Sequence, residues 1–184
     1  DFKRRAEMAL DLVTEVGILH AKGLVHGDLS DANIFCRSTD SGTLAQLIDM
    51  DMASVMRRKE WQADLRPVER PGFNEYLAPE IVSGETAEPS AYTDRWGVAV
   101  ALHWMLCSSS PLAMIGCSAT EYAKGGHAWP QGNTRHQERL NWVGPTLRNY
   151  FTIVFNQTWG IVPTHRPSCT SWAKALDDLL QEAP

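Results

Sequence analysis

The stretch that most limits how this chain can fold runs over residues 92–106, Y-T-D-R-W-G-V-A-V-A-L-H-W-M-L. Its apolar side chains, among them Trp96, Val98, Val100, Leu102, Trp104 and Met105, fall on every side of a helix rather than along one stripe. A helix apolar all round is stable in water only where protein covers it all round. In a chain of 184 residues it must therefore be the central post, with the other elements packed about it. Those elements are mostly amphipathic helices. Residues 4–22 carry Ala9, Leu10, Val13, Val16 and Leu19 on one broad face, and Gly23 stops that helix. Residues 146–159 gather Leu147, Tyr150, Phe151, Val154 and Phe155 on one face. Residues 168–180 gather Trp172, Leu176, Leu179 and Leu180, with Ser168 as N-cap.

Short apolar runs at residues 24–25, 34–35 and 43–48 read as strands, and S-T-D-S-G at 38–42 reads as a turn. Residues 108–145 are rich in Gly, Pro, Ser and Asn, which predicts irregular structure with one short helix near 119–124. Residues 52–71 are polar, with Arg57, Arg58, Lys59, Glu60, Arg66, Glu69, Arg70 and two prolines, so a long loop is expected there. No internal repeat is visible, and one domain is expected over residues 1–184.

Composition narrows the function classes. At 43% hydrophobic the chain can bury a sizeable core, while a net charge of −5 without a basic run points away from nucleic acid and from anionic membranes. No apolar run approaches the ~20 residues of a membrane helix. There is no signal-peptide pattern, and a start at Asp1 rather than Met suggests a processed protein or an excised fragment. Cys36, Cys107, Cys117 and Cys169 form no C-x-x-C pair and the six histidines no H-E-x-x-H, so zinc chemistry is set aside. Free thiols in a reducing, cytoplasmic compartment are the expectation.

The chemistry sits in V-H-G-D-L-S-D-A-N at 25–33 and L-I-D-M-D at 47–51. Asp28 and Asn33 lie five positions apart between short strands, and Asp49 ends a second apolar run. Oxygen ligands from separate segments, with one carboxylate facing a nucleophile, suit a magnesium polyphosphate. An Asp-x4-Asn pairing alone is common as a solvated turn. It gains weight from three motifs further along the chain, in this order: Y-L-A-P-E at 76–80, T-D-R-W at 93–96 and R-P-S at 166–168.

Together these resemble the catalytic loop H-R-D-x-x-x-x-N, the metal loop D-F-G and the A-P-E signature of the protein kinases. The resemblance covers nearly the whole chain. It implies a mainly α (α+β) fold, the kinase C-terminal lobe: a helical bundle around a buried central helix, with short β-hairpins carrying the catalytic loop (26–33) and the metal loop (49–51). The activation segment would span 49–80, and the N-lobe would be absent, leaving a single incomplete kinase domain. H-G-D-L-S and the ending F-x-x-T-W look most similar to divergent bacterial Ser/Thr kinases. The RIO kinases share H-G-D-L-S-x-x-N and I-D-M but not the A-P-E segment.

The resemblance also implies a role for each matching residue. Asp28 would accept or orient the substrate hydroxyl proton, and Ser30 stands where a Lys usually steadies the γ-phosphate. Asn33 and Asp49 would hold Mg²⁺, and with Phe35 beneath the adenine they would form the ATP site. His26 and Met50 would belong to the packed column joining the lobes. Glu80 and Arg166 would form a buried ion pair, and Asp94 would hydrogen-bond the catalytic-loop backbone. Gly27 replaces the Arg that senses a phosphorylated loop, implying activity independent of loop phosphorylation. Ser30 implies slow turnover, Phe73 replaces a Thr that bonds the missing Lys, and Asp51 replaces the Gly that lets the loop flip.

The implied function is the C-lobe of a Ser/Thr protein kinase moving the γ-phosphate of ATP to a protein hydroxyl. As an isolated lobe it would be inert and would bind little or no nucleotide. Its partners would be the missing N-lobe, a protein substrate, or a second copy meeting the exposed face around Phe35, with no nucleic acid and no membrane. Two alternatives are a pseudokinase or scaffold lobe, and a small-molecule phosphotransferase of the aminoglycoside or choline kinase type. The latter families generally lack the 76–80 segment.

Overall fold

The computed structural model describes residues 1–39, 42–51, 53–55, 74–86, 88–127, 129, 134–156 and 162–182. Along them run α1 (Phe2–Ala21), β1 (Leu24–Val25), β2 (Ile34–Thr39), β3 (Gly42–Leu47), β4 (Ser54–Val55), α2 (Pro79–Val82) and α3 (Ala91–Cys107). Then come α4 (Pro111–Ile115), α5 (Ala119–Ala123), α6 (Thr134–Trp142), α7 (Gly144–Phe155) and α8 (Cys169–Glu182). Short 3₁₀ turns lie at Asp31–Asn33, Asn74–Tyr76 and Pro163–His165. The α+β architecture is the one the sequence implied, with helices around one buried helix and two-stranded sheets beside them.

Local chemistry sets the helix ends. The Asp1 carboxylate accepts from the Lys3 N–H at 3.0 Å to start α1, and Gly23, at φ 74°, turns the chain out of it without a Cβ penalty. Helix α3 opens on a reciprocal capping box between Ser90 and Thr93. At its far end the Cys107 and Ser108 carbonyls accept from the Arg139 guanidinium at 2.8 and 3.3 Å, a cation placed on the negative end of the helix. Between these ends α3 buries Trp96, Val98, Val100, Leu102 and Leu106 against α1, α6 and α7. Trp96 packs on Tyr122 and Phe155, with ring centroids 5.4 and 5.2 Å away.

Several expectations need correction. Helix α3 is not covered all round: Trp104 is 42% exposed, because its indole N–H reaches a surface carboxylate and its ring needs no full cover. Of the turn expected at 38–42, residues 38, 39 and 42 belong to strands instead, since β2 runs to Thr39 and β3 begins at Gly42, with Ile34 paired to Leu47. Strand β1 pairs with β4, a long-range match that residues 53–55 do not advertise. Among the described residues of 108–143 there are three helices rather than one. Two of them are started by serine caps, Ser110 before Pro111 and Ser118 in a capping box with Glu121. The third, α6, contributes few apolar residues beyond Leu140 to the core, too few to show a period. The polar run 56–71 and Phe73 lie outside the described residues, as do most of residues 49–80 beyond the metal loop.

All four cysteines are free, and burial pushes the thiols of Cys107 and Cys169 up to about 12, which makes them inert packing groups. Among the described residues no helix is long and apolar enough to cross a membrane.

One buried cluster escaped the sequence reading. The His103 ring stacks on His136 at 5.2 Å and meets the edges or faces of Trp129, Phe151 and Phe155. Its Nδ1–H donates to the Ser109 carbonyl at 2.6 Å, while Nε2 is buried and finds no partner among the described residues. Burial therefore pushes His103 down to about 3 and His136 down to about 4, with Arg139 adding to both shifts.

This packing leads to two measurable expectations. Both folded values lie below the ordinary histidine value, so the unfolded chain binds more protons as pH falls, and stability is lost from about pH 6.5 downward. The urea midpoint should fall between pH 7.5 and pH 5, and His103→Gln should narrow that gap. Separately, a Cβ on Gly97 would stand 2.9 Å from the Leu29 Cβ, with α3 and the loop before Asn33 too close to yield freely. Gly97→Ala should cost about 1–3 kcal/mol in urea unfolding.

Candidate active site

The segment after β1 is held from below by α3. Asp94, buried in the first turn of that helix, accepts from the backbone N–H of His26 at 2.8 Å and of Gly27 at 3.0 Å. The same carboxylate meets Nε2 of His20, at the end of α1, at 2.9 Å. Two consecutive amides bonded to one anion fix the direction of the chain entering residue 28. Gly27 sits there at φ 82°, a conformation that any other residue adopts only at a cost.

His26 is wholly buried and joins two segments. Its Nε2 lies 3.3 Å from the Ile48 carbonyl and its Nδ1 lies 3.4 Å from the Asp28 N–H. The tautomer that satisfies both has its proton on Nε2. Next, the Ser30 carbonyl accepts from the Asn33 N–H at 3.0 Å, closing the 3₁₀ turn that swings Asn33 back toward Asp28. The Asn33 amide nitrogen donates to the Asp28 carbonyl at 2.7 Å and to its carboxylate at 3.0 Å.

The second segment is tied to the first through its backbone. The Ile48 N–H donates to the Asn33 carbonyl at 3.0 Å, one residue before Asp49. Asp49 then turns at φ 59°, and its carboxylate accepts weakly from the Asp51 N–H at 3.4 Å. Asp28, Asn33 and the strand end carrying Asp49 are thus linked in one hydrogen-bonded series. Asp28 and Asp49 are exposed, whereas Asn33 is nearly closed off.

With the Asn33 amide nitrogen directed at Asp28, its Oδ1 is the side-chain atom left to bind a cation. Among the described residues no three His, Cys, Asp or Glu side chains gather as a metal cluster. A cation at Asn33 and Asp49 would take its remaining oxygens from phosphate and water, the usual habit of Mg²⁺. The donor set fits that ion.

The remaining expected residues are spread over several settings. Ser30 is buried at 3% exposure, so of the two residues expected at the reacting groups only Asp28 is open to solvent. Phe35 is 52% exposed on β2 and Met50 is 39% exposed, so Met50 is not part of the closed core that takes in His26. Glu80 on α2 and Arg166 before α8 form a two-pronged pair, both N···O distances 2.7 Å. Arg166 also donates to the Tyr92 carbonyl at 2.8 Å and stacks 5.4 Å above the Trp96 ring.

Sequence reasoning missed His20 and Glu75. The Glu75 carboxylate accepts from the Trp104 Nε1–H at 2.9 Å and from the Ser110 hydroxyl, and its carbonyl accepts from the Trp96 Nε1–H at 2.9 Å. This pins residues 74–76 to the flank of α3. Nothing local signals it, because the partners stand 21 to 35 positions away.

A family model described as the protein kinase domain matches residues 3–175. The chain belongs to the protein kinase family. It is 32% identical over 110 residues to MAP kinase-interacting serine/threonine-protein kinase 2 of Xenopus laevis, covering 55% of this chain and 23% of that protein. It is 35% identical over 101 residues to serine/threonine-protein kinase AtPK1/AtPK6 of Arabidopsis thaliana, covering 55% of this chain and 20% of the relative. Dual specificity testis-specific protein kinase 1 of Rattus norvegicus is 31% identical over 94 residues, 51% of this chain and 15% of its own length. The matched part thus spans about a fifth of the length of these curated relatives. All three are eukaryotic, so they lend nothing to a bacterial affinity.

The ion pair yields a further expectation. Arg166→Met alone leaves the Glu80 carboxylate buried and uncompensated, and should cost about 3–5 kcal/mol in urea unfolding. The double variant Glu80→Leu/Arg166→Met should recover most of that loss.

Proposed function

We propose that the protein is a Ser/Thr protein kinase that transfers the γ-phosphate of ATP to a hydroxyl of a protein substrate, with this chain as its C-terminal lobe. The observation that supports the reading is the series Asp28–Asn33–Ile48, in which the Asn33 amide bonds the exposed Asp28 carboxylate and the Asn33 carbonyl ties down the residue before Asp49. Mg²⁺, when bound, neutralises charge on the phosphate oxygens during transfer. Asn33, through Oδ1, and Asp49 are the residues to hold it. Asp28, oriented by the Asn33 amide, accepts or aligns the proton of the attacking hydroxyl. His26 and Asp94 keep that loop in register from beneath.

The exposed apolar side chains Phe35, Leu44, Ile48 and Met50 lie on the β2–β3 hairpin and at the start of the metal loop. An N-terminal lobe covering this face would complete the adenine site over Phe35 and pack on Met50, and a second copy is the competing occupant. The isolated lobe should bind nucleotide weakly, because positioning from two sides supplies most of the catalysis in phosphoryl transfer. Gly27 offers no cation to a phosphorylated loop, so activity should survive phosphatase treatment. The free thiols suit a reducing compartment such as the cytoplasm.

Ser30 favours the second reading, a pseudokinase or scaffold. It is short, buried and uncharged where a cation would steady the γ-phosphate, so slow turnover is expected even if the enzyme is active. The small-molecule phosphotransferase reading has no counterpart for the Glu80–Arg166 pair.

The test is phosphate transfer by the intact protein to myelin basic protein, alongside a panel of small hydroxyl acceptors. Asp49→Ala and Asp28→Asn should each lower Mg²⁺-dependent transfer by roughly 10²-fold or more. Wild-type protein that binds its partners but transfers nothing would establish the scaffold, and preference for a small acceptor would establish the third reading.

A further inference from the structure

Strand β3 has two edges and only one strand partner among the described residues. One edge is occupied by β2, reached by the N–H of Ile48 just past the strand end. The amides of Ala45 and Leu47 point the other way, toward α1. There the Asp11 carboxylate accepts from the Ala45 N–H at 3.3 Å and the Glu15 carboxylate from the Leu47 N–H at 2.7 Å. Alternate residues of a strand lie about 6.7 Å apart, and residues four apart on a helix about 6 Å apart along its axis. The i,i+4 carboxylates of α1 therefore match the i,i+2 amides of β3 and stand in for a third strand.

This edge leads directly into the metal loop. Leu47, gripped by Glu15, precedes Ile48, whose N–H bonds Asn33 and whose carbonyl meets His26. The next residue is Asp49, which leaves the strand in a left-handed turn. Asp49 itself is exposed, and among the described residues its carboxylate receives only a long bond from Asp51. Its position is therefore set by the strand before it.

We propose that Glu15, with Asp11 one turn earlier, is a positioning residue for Asp49: the two carboxylates fix the free edge of β3 so that the strand enters the Asp49 turn in one register. The proposal rests on the reading of Asp49 as a magnesium ligand. Neither residue touches substrate or metal. Glu15 acts through Leu47 and Ile48.

The experiment compares Glu15→Gln, which keeps an acceptor oxygen, with Glu15→Met, which keeps the length and removes it. Two quantities are read: exchange of the Leu47 amide with deuterium, and the Mg²⁺ concentration for half-maximal phosphotransfer by the intact protein, kept apart from kcat at saturating Mg²⁺. Glu15→Met should speed Leu47 exchange and raise the half-saturating Mg²⁺ roughly tenfold, as for the loss of one charge-assisted hydrogen bond, with kcat at saturation changed far less. Glu15→Gln should stay close to wild type on both. Asp11→Leu should show the same pattern at Ala45 in weaker form, and it carries the test if Glu15→Met does not fold. Faster Leu47 exchange with an unchanged Mg²⁺ requirement would overturn the proposal, because Glu15 would then be structural only. Failure of the underlying reading shows separately, as Asp49→Ala transferring phosphate with wild-type Mg²⁺ dependence, and it takes the proposal with it.

Discussion

The structure depends on the Asp94 carboxylate. Placed in the first turn of the buried helix α3, it accepts from two successive backbone amides, those of His26 and Gly27, and meets His20 on α1. The end of α1 and the loop that follows β1 are thereby tied to one buried anion that lies 67 to 74 positions further along the chain. An unpaired carboxylate at that depth would be strongly unfavourable, so the loop has little freedom to leave it. The most deeply buried helix of the fold is in this way coupled directly to the segment that presents Asp28.

From that anchor the order spreads outward in steps. Gly97, beside Trp96 on α3, lets the loop residue Leu29 settle against the helix at a distance no Cβ would permit. The ring of His26 carries the constraint to Ile48, and the Asn33 carbonyl carries it to the same residue from the other side. The two loops thus form one unit although a whole hairpin separates them in sequence. A parallel set of contacts fixes the far flank: Glu75 hangs from the two tryptophans of α3, and Glu80 is locked to Arg166. Residues 74–80 accordingly rest on the same helix as residues 26–33, and that shared footing relates the two regions to each other.

Charge is handled differently at each depth. Deep inside, the carboxylates of Asp94 and Glu80 are matched by donors. Histidines 103 and 136 are accommodated instead as neutral rings in an aromatic cluster, since burial there disfavours the cation. Toward the open edge, Asp28 and Asp49 keep their carboxylates exposed. That division leaves carboxylate oxygens open to solvent at the surface, while the buried carboxylates are matched by donors.

Sequence pattern alone decided which of the long segments become helices and which of them lies at the centre, because a run apolar on every side has nowhere else to go. It also supplied the motif letters that name Asp28, Asn33 and Asp49. It did not reveal α6, whose polar composition hides its period, nor the β1–β4 pairing, nor the full set of partners around Asp94 and Glu75. Those are contacts between residues tens of positions apart, and periodicity carries information only about neighbours on one element. The grip of Asp11 and Glu15 on β3 is the clearest case: each carboxylate looks like an ordinary helix surface charge until the tertiary fold sets a strand edge with the matching spacing beside it.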